Sequence, residues 1–219
     1  MGDKAEFTDM TESMHGSMSL NGDVEKLQAF YRQWAPTYDA DVLSGGYGMP
    51  DMVARTLVAG LHEQGRSERS LRVIDAGCGT GAVGTSLTNE GFTDLHGVDL
   101  SRDMIEVAEK RGIYRSLEGG VDLSSVAPAH LVRSADAVTV GGVFTVGHVP
   151  PTALRAMASM VRPGGVLAVS TRTAYLEETN FQDVVDQLVS EDTMALLTRT
   201  HDAPYTMDSN ADYWAFAIT

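Results

Sequence analysis

Leu71-Arg-Val-Ile-Asp75-Ala-Gly77-Cys-Gly79-Thr-Gly81 is the stretch that decides the fold. A short β-rich run from Leu71 to Asp75 meets three alternating glycines, and a helical pattern follows to about Asn89. That is strand, tight turn, helix. Apolar and β-branched residues suit a buried pleated surface, and glycines adopt dihedrals closed to other residues. A helix starting near Gly81 points free N–H groups and the positive end of its dipole at whatever lies above the turn.

Outward from this turn the alternation continues. Asp94 to Val98 reads as strand, Ser101 to Arg111 as helix, and a weak strand falls within Tyr114 to Val121. Next come strand Ala135 to Val140, a helix from about Pro151 to Val161, and strand Gly165 to Ser170 after the turn Pro163-Gly164-Gly165. Such alternation calls for right-handed crossovers and a mostly parallel sheet covered on both faces, so the class is α/β, Rossmann-like and doubly wound. Towards the C terminus a helix with the apolar face Phe181, Val184, Val185, Leu188 leads to Leu196–His201 and Tyr213–Ile218. Only a short connection with Pro204 and Asn210 joins these last two strands, so they form an antiparallel hairpin that completes a seven-stranded sheet.

Upstream of the turn, Val24, Leu27, Tyr31 and Trp34 share one face of a helix ending before Pro36, and a second helical pattern spans Pro50 to Leu61. Both are expected to cap the main unit. The expected organisation is a disordered tail over 1–22 and a single domain over 23–219, with cap or lid helices in 23–62 and the core in 70–219. A chain of 219 residues suits one sizeable domain, and its 43% hydrophobic and 21% charged residues are ordinary for a globular protein. Met10, Met14 and Met18 recur every four residues in the tail, but the glycines and short polar residues between them favour disorder.

A net charge of −14 and a pI near 4.7 disfavour a nucleic-acid substrate and suit a neutral or cationic small molecule. The single Cys78 excludes an internal disulfide framework and a cysteine-based zinc site, no metal is expected, and a reducing cytoplasm is the natural home. The longest uncharged interior stretch, around Val138 to Pro150, is too short and too glycine-rich to span a bilayer. Oligomeric state has no signature in the residues.

In an open parallel sheet, ligands sit beyond the carboxyl ends of strands where strand order reverses, which puts Asp75 to Gly81 at the expected site. The second strand ends in Gly97-Val-Asp99-Leu100, so Asp99 follows the turn by about 20 residues, where a carboxylate accepts hydrogen bonds from ribose hydroxyls. Asp99 also suits a plainer role as an acid at the start of the helix near Ser101. Gly77, Gly79 and Ala82 satisfy the dinucleotide pattern G-x-G-x-x-[G/A] as well, which keeps an NAD(P)-dependent oxidoreductase open.

With Asp75 and Gly81 included, the turn D-x-G-x-G-x-G resembles the first motif of class I S-adenosylmethionine-dependent methyltransferases. Arg162-Pro-Gly-Gly-Val166 resembles a turn common in that family. Tyr31-Arg-Gln-Trp34-Ala-Pro-Thr-Tyr38-Asp39 looks like the Y-x-x-W-A-x-x-Y-D segment of the methyltransferase-like proteins of the Williams-Beuren syndrome region. Leu95-His-Gly-Val-Asp99, Met104, Arg111-Gly-x-Tyr114 and Thr171-Arg-Thr173 agree with that branch, so the resemblance runs from Tyr31 to Thr173. It implies methyl transfer from S-adenosylmethionine, leaving S-adenosylhomocysteine, to an N, O or S atom of a small-molecule acceptor by in-line displacement. A non-catalytic S-adenosylmethionine-binding protein is the other alternative.

Carried over by the resemblance, Gly77, Gly79 and Gly81 line the methionine and ribose parts of the cofactor, Asp99 holds the ribose, and Leu100 and Met104 hold the adenine. Asp122 and Leu123 meet the adenine edge, Asp75, Cys78 and Gly141 join the cofactor-binding set, and Tyr31, Trp34 and Tyr38 close over the methionine end. Packing on an apolar helix face accounts equally well for Tyr31 and Trp34. No partner base for Cys78 is evident in the sequence, and it is assigned no chemistry. His148, in Gly141-Gly-Val-Phe-Thr-Val-Gly-His148, lies at the ligand edge of the sheet, where a neutral imidazole takes a proton from an acceptor; its plain reading is a loop histidine. Two partners suit Arg172: a substrate carboxylate, or Glu177 and Glu178.

Overall fold

The computed structural model describes residues 20–219 apart from Gly45. Residues 1–19 of the expected tail, with Met10, Met14 and Met18, lie outside the described residues. Leu20 to Gly22 form a turn whose Gly22 N–H donates to Gly147 O at 2.8 Å.

Three helices precede the sheet: α1 (Val24–Trp34), α2 (Tyr38–Ser44) and α3 (Met49–Glu63). Asp23 caps α1 by accepting from the Lys26 N–H at 3.2 Å, and Pro50 occupies the first turn of α3, where its missing N–H costs nothing. The alternating core follows as β1 (Arg72–Ala76), α4 (Ala82–Asn89), β2 (Asp94–Asp99), α5 (Arg102–Glu109), β3 (Ser116–Gly119) and β4 (Ala135–Phe144). It continues with α6 (Ala153–Met160), β5 (Val161–Arg172), α7 (Thr173–Glu178), α8 (Phe181–Ser190), β6 (Met194–Thr206) and β7 (Ser209–Ile218). Neither α2 nor α7 was expected. At 7 and 6 residues they are too short for an apolar period to show in sequence.

The strand order is β3-β2-β1-β4-β5-β7-β6, with the first five parallel and β7 antiparallel to both β5 and β6. The chain winds outward from β1 to β3 and then restarts at β4 on the other side, so the switch point lies between β1 and β4. Alternation along each strand splits the core in two. Ile74, Val138, Val140, Trp214 and Phe216 face α6 and α8, whereas Val73, Ala137, Tyr213 and Ala215 face α3 and α4.

β4 and β5 run further than the sequence suggests. Pro163-Gly164-Gly165 lies within β5 as an irregularity, because pairing jumps from Ala135 with Val161 to Ala137 with Val166. A second register shift, between Val140 and Phe144, spans Gly141 and Gly142 and carries β4 over the ligand edge. The poor strand former Glu118-Gly-Gly120 limits β3 to four residues at the sheet edge.

Candidate functional site

A cleft opens above the carboxyl ends of β1, β2, β4 and β5, with about 1130 Å³ of empty space, mouth included, roofed by α1 and α2. Its two ends are built differently.

At the β1–β2 end, Gly77 (φ 72°) and Gly79 (φ 53°) occupy the left-handed region that favours glycine. A Cβ at Gly77 would stand 2.3 Å from Val143 Cγ2, whereas one at Gly79 would meet nothing within 4 Å, so the Gly79 backbone lies bare to the cleft. Asp99 ties the turn to β2. Its Oδ2 accepts from Gly79 N–H at 2.8 Å and its Oδ1 from Ser101 N–H at 2.7 Å. Burial pushes this carboxyl above the ordinary aspartate range, and those two N–H donors oppose the shift. Each oxygen keeps a further lone pair for a ligand hydroxyl. Ser101 caps α5 by accepting from Met104 N–H at 3.3 Å, which places Leu100 and Met104 along the cleft opposite Val121, Asp122 and Leu123.

At the β4–β5 end the walls are side chains. The buried His148 ring has Nδ1 at 3.2 Å from Val146 O and Nε2 at 2.6 Å from the Tyr31 hydroxyl. A carbonyl only accepts, so Nδ1 carries the proton and Nε2 accepts from Tyr31. Burial, reinforced by the positive charge of Arg172, pulls His148 down to about 4, so the ring is neutral at physiological pH. Arg172 lies with its guanidinium carbon 5.3 Å from the centre of the Tyr205 ring. Tyr205 and Tyr47 meet edge to face, with hydroxyls 3.5 Å apart. Burial holds the Tyr38, Tyr47 and Tyr205 hydroxyls protonated, far above neutral pH.

The roof is tied to both ends. Gln28 Nε2 donates to Leu100 O at 3.3 Å on the β2 side, and Gly22 is held by Gly147 on the β4 side. Tyr31 and Trp34 stack with centroids 6.1 Å apart, and Tyr38 meets Trp34 edge-on at 4.7 Å. Asp39 pins α2 to the glycine turn: it accepts from Thr80 Oγ1 at 2.6 Å and pairs with Arg111 at 2.5 Å, while Arg111 Nε donates to Thr80 O.

Most of the residues expected at the site therefore meet in one cleft: Gly77, Gly79 and Asp99 on the floor, Leu100, Met104, Asp122 and Leu123 along one side, and Gly141 and His148 on the other. Tyr31, Trp34 and Tyr38 join them from the roof. Asp75, Cys78 and Gly81 do not line the cleft. Asp75 is buried beneath the turn, accepting from Tyr114 Oη at 2.7 Å and Thr139 Oγ1 at 3.1 Å, and burial pushes it up to about 6. Cys78 is buried, and its thiol is pushed up by desolvation, which keeps it protonated and unreactive. Gly81 (φ 92°) is the N-cap of α4.

Tyr47, Thr145 and Tyr205 line the cleft without having been singled out in the sequence. No local pattern marks them, because Tyr205 reaches the cleft only once β7 has inserted between β5 and β6. Among the described residues, no group of three or more His, Cys, Asp or Glu side chains is placed to hold a metal, and no helix is long and apolar enough to cross a membrane.

The donor set at the β1–β2 end fits an adenosine: a carboxylate for a ribose diol, bare backbone at Gly79, and an apolar slot ending in Asp122. A profile described as a methyltransferase domain matches residues 50–214. The human Methyltransferase-like protein 27 is 35% identical over 147 residues, covering 66% of this chain and 57% of that protein. A Ubiquinone biosynthesis O-methyltransferase of Xanthomonas oryzae pv. oryzae is 36% identical over 104 residues, 46% of this chain and 42% of that protein. The matched stretches thus span about half the length of these relatives. A TehB-like SAM-dependent methyltransferase from Corynebacterium glutamicum shares the fold, with a TM-score of 0.62 at 20% identity over 87% of this chain and 99% of that one.

Proposed function

The chain belongs to the class I S-adenosylmethionine-dependent methyltransferases, and from that premise we propose that it methylates an N, O or S atom of a small molecule by in-line displacement. The observation that carries this reading is the single cleft with a ribose-type carboxylate, Asp99, at one end and a neutral imidazole, His148, at the other. A relative named for ubiquinone biosynthesis supports a small-molecule acceptor.

S-adenosylmethionine, when bound, supplies a methyl group on a sulfonium whose departure needs no protonation. The chain's task is then alignment and proton management. Gly77, Gly79 and Asp99 seat the nucleoside end, while α1 and α2 exclude water from above. His148 Nε2 holds a lone pair towards Tyr31 Oη, so a proton leaving an acceptor hydroxyl passes to Tyr31 Oη as the Tyr31 proton moves to Nε2. One free, buried cysteine suits a reducing compartment, and we place the protein in the cytoplasm.

An NAD(P)-dependent oxidoreductase is disfavoured because antiparallel β7 occupies the side of β5 on which a second parallel half would be built. Calorimetric titration with S-adenosylmethionine, S-adenosylhomocysteine, NAD and NADP tests the cofactor. Binding of the first pair alone, weakened about 100-fold or more in Asp99→Ala, is expected, a loss near 2.8 kcal/mol. Binding of NAD instead would sink the reading. Turnover of S-adenosylmethionine with a panel of acceptors separates an enzyme from a non-catalytic binder.

A further inference from the structure

The acceptor end of the cleft carries an unsatisfied group. Thr145 is only 6% exposed, lines the cleft, and its Oγ1 has no hydrogen-bond partner among the described residues. A buried hydroxyl without a partner is unfavourable, and one that faces a cleft is open to completion by a ligand that accepts from it or donates to it. Phe144 pairs with Thr171 at the end of the β4–β5 ladder, so Thr145, which follows β4, and Arg172, which ends β5, succeed paired residues at the same edge of the sheet, and both line the cleft. Arg172 is the one guanidinium or ammonium among the described residues lining the cleft, in a chain of net charge −14. Its charge reaches His148, and its guanidinium rests against the face of Tyr205, which orients the fork.

We propose that Thr145 and Arg172 form an anion subsite for a carboxylate of the methyl acceptor, so that the acceptor is a small carboxylic acid. This rests on the methyltransferase reading above and deepens it. A carboxylate matches the pair because it accepts from the planar guanidinium and from a hydroxyl donor at once. The surface charge favours neutral or cationic ligands at long range, but within a covered cleft the nearest charge dominates, since the field of the distant carboxylates is screened over about 8–10 Å. The nucleoside end lies elsewhere: Asp99 on β2 and Arg172 on β5 are three strand spacings apart, about 14 Å.

The test is a binding comparison. Purified protein is titrated, with and without saturating S-adenosylhomocysteine, with a panel of aromatic and aliphatic monocarboxylic acids and their carboxamides, which keep the shape and lose the charge. At least one acid is expected to bind about 10-fold or more tightly than its amide, with that preference abolished in Arg172→Gln and reduced roughly 3-fold or more in Thr145→Val. Thr145→Val is expected to melt no lower than the parent, because it removes an unpartnered hydroxyl, and Arg172→Gln to bind S-adenosylhomocysteine within about 3-fold of the parent. Acids that never outbind their amides overturn the subsite. A loss of S-adenosylhomocysteine affinity above 10-fold in Arg172→Gln also overturns it, because Arg172 then serves the cofactor's own carboxylate. Failure of the parent to bind S-adenosylhomocysteine at all would instead sink the methyltransferase reading, while the acid and amide comparison without it still reads the subsite.

Discussion

At the β1–β2 end of the cleft the ligand-facing groups are backbone and one carboxylate, fixed by hydrogen bonds between Gly79, Asp99 and Ser101 that lie within a few residues of two strand ends. At the β4–β5 end they are side chains from separate elements: Tyr31 from α1, Tyr38 from α2, His148 after β4, Arg172 closing β5 and Tyr205 from β6. The first end is set by local chain geometry and leaves little room to vary. The second is set by the packing of distant segments, so its chemistry changes residue by residue without disturbing the fold.

Substitutions that join the two ends should have the largest effects. Gly77→Val places a branched side chain at a positive φ and drives it into Val143, which belongs to β4. We expect S-adenosylhomocysteine affinity to fall 100-fold or more, about 2.8 kcal/mol or greater, measured by calorimetry; an affinity within 3-fold of the parent would break the view of the turn as rigid. The acceptor end answers to a different probe. His148→Ala should lower kcat about 100-fold for a hydroxyl acceptor while cofactor affinity moves less than about 2-fold. Because His148 titrates near 4 in the folded protein, its NMR signals should hold steady from pH 8 to 5 and shift only below that, and a midpoint near 6.5 would mean that the ring is not buried as described.

Asp75 sharpens the contrast from beneath the turn. Burial raises its pKa from the ordinary aspartate range to about 6, so the folded state binds protons that the unfolded state releases, and stability is fully present below pH 4 and lost as pH rises through 6. Asp75→Asn lacks that penalty. Its stability relative to the parent should rise by roughly 1–3 kcal/mol between pH 4 and 7, read from denaturant midpoints. A pH-independent difference would show that Tyr114 and Thr139 fully offset the desolvation. The smallest effect is expected where the roof is pinned to the glycine turn: Asp39→Ala releases α2 from Thr80 and Arg111 and should weaken cofactor binding about 3- to 5-fold. An unchanged off-rate in stopped flow would show that α2 does not gate the site.

The Gly77 to Gly81 turn, Asp99 and the alternating strands were legible because each rests on interactions between residues near in sequence: positive φ at glycine, a carboxylate ending a strand, an apolar period. Even His148 could be placed at the ligand edge by counting strands. Its tautomer and low pKa could not, since they depend on Val146 O, on Tyr31 across the cleft, and on burial by the roof. Asp75 shows the converse: the motif counts it with the cofactor set, but the pairing of β1 with β4 turns its carboxylate to Thr139 and Tyr114, away from the cleft.

By itself, then, the sequence determined the α/β class, the hairpin at the end of the sheet, and the end of the cleft that suits a nucleoside. Tertiary structure decided which side chains come together at the β4–β5 end. Thr145 and Arg172 on one cleft, and Tyr205 beneath that guanidinium, come together only through the order β4-β5-β7-β6, and contacts between residues tens of positions apart leave no period or spacing in the chain to read.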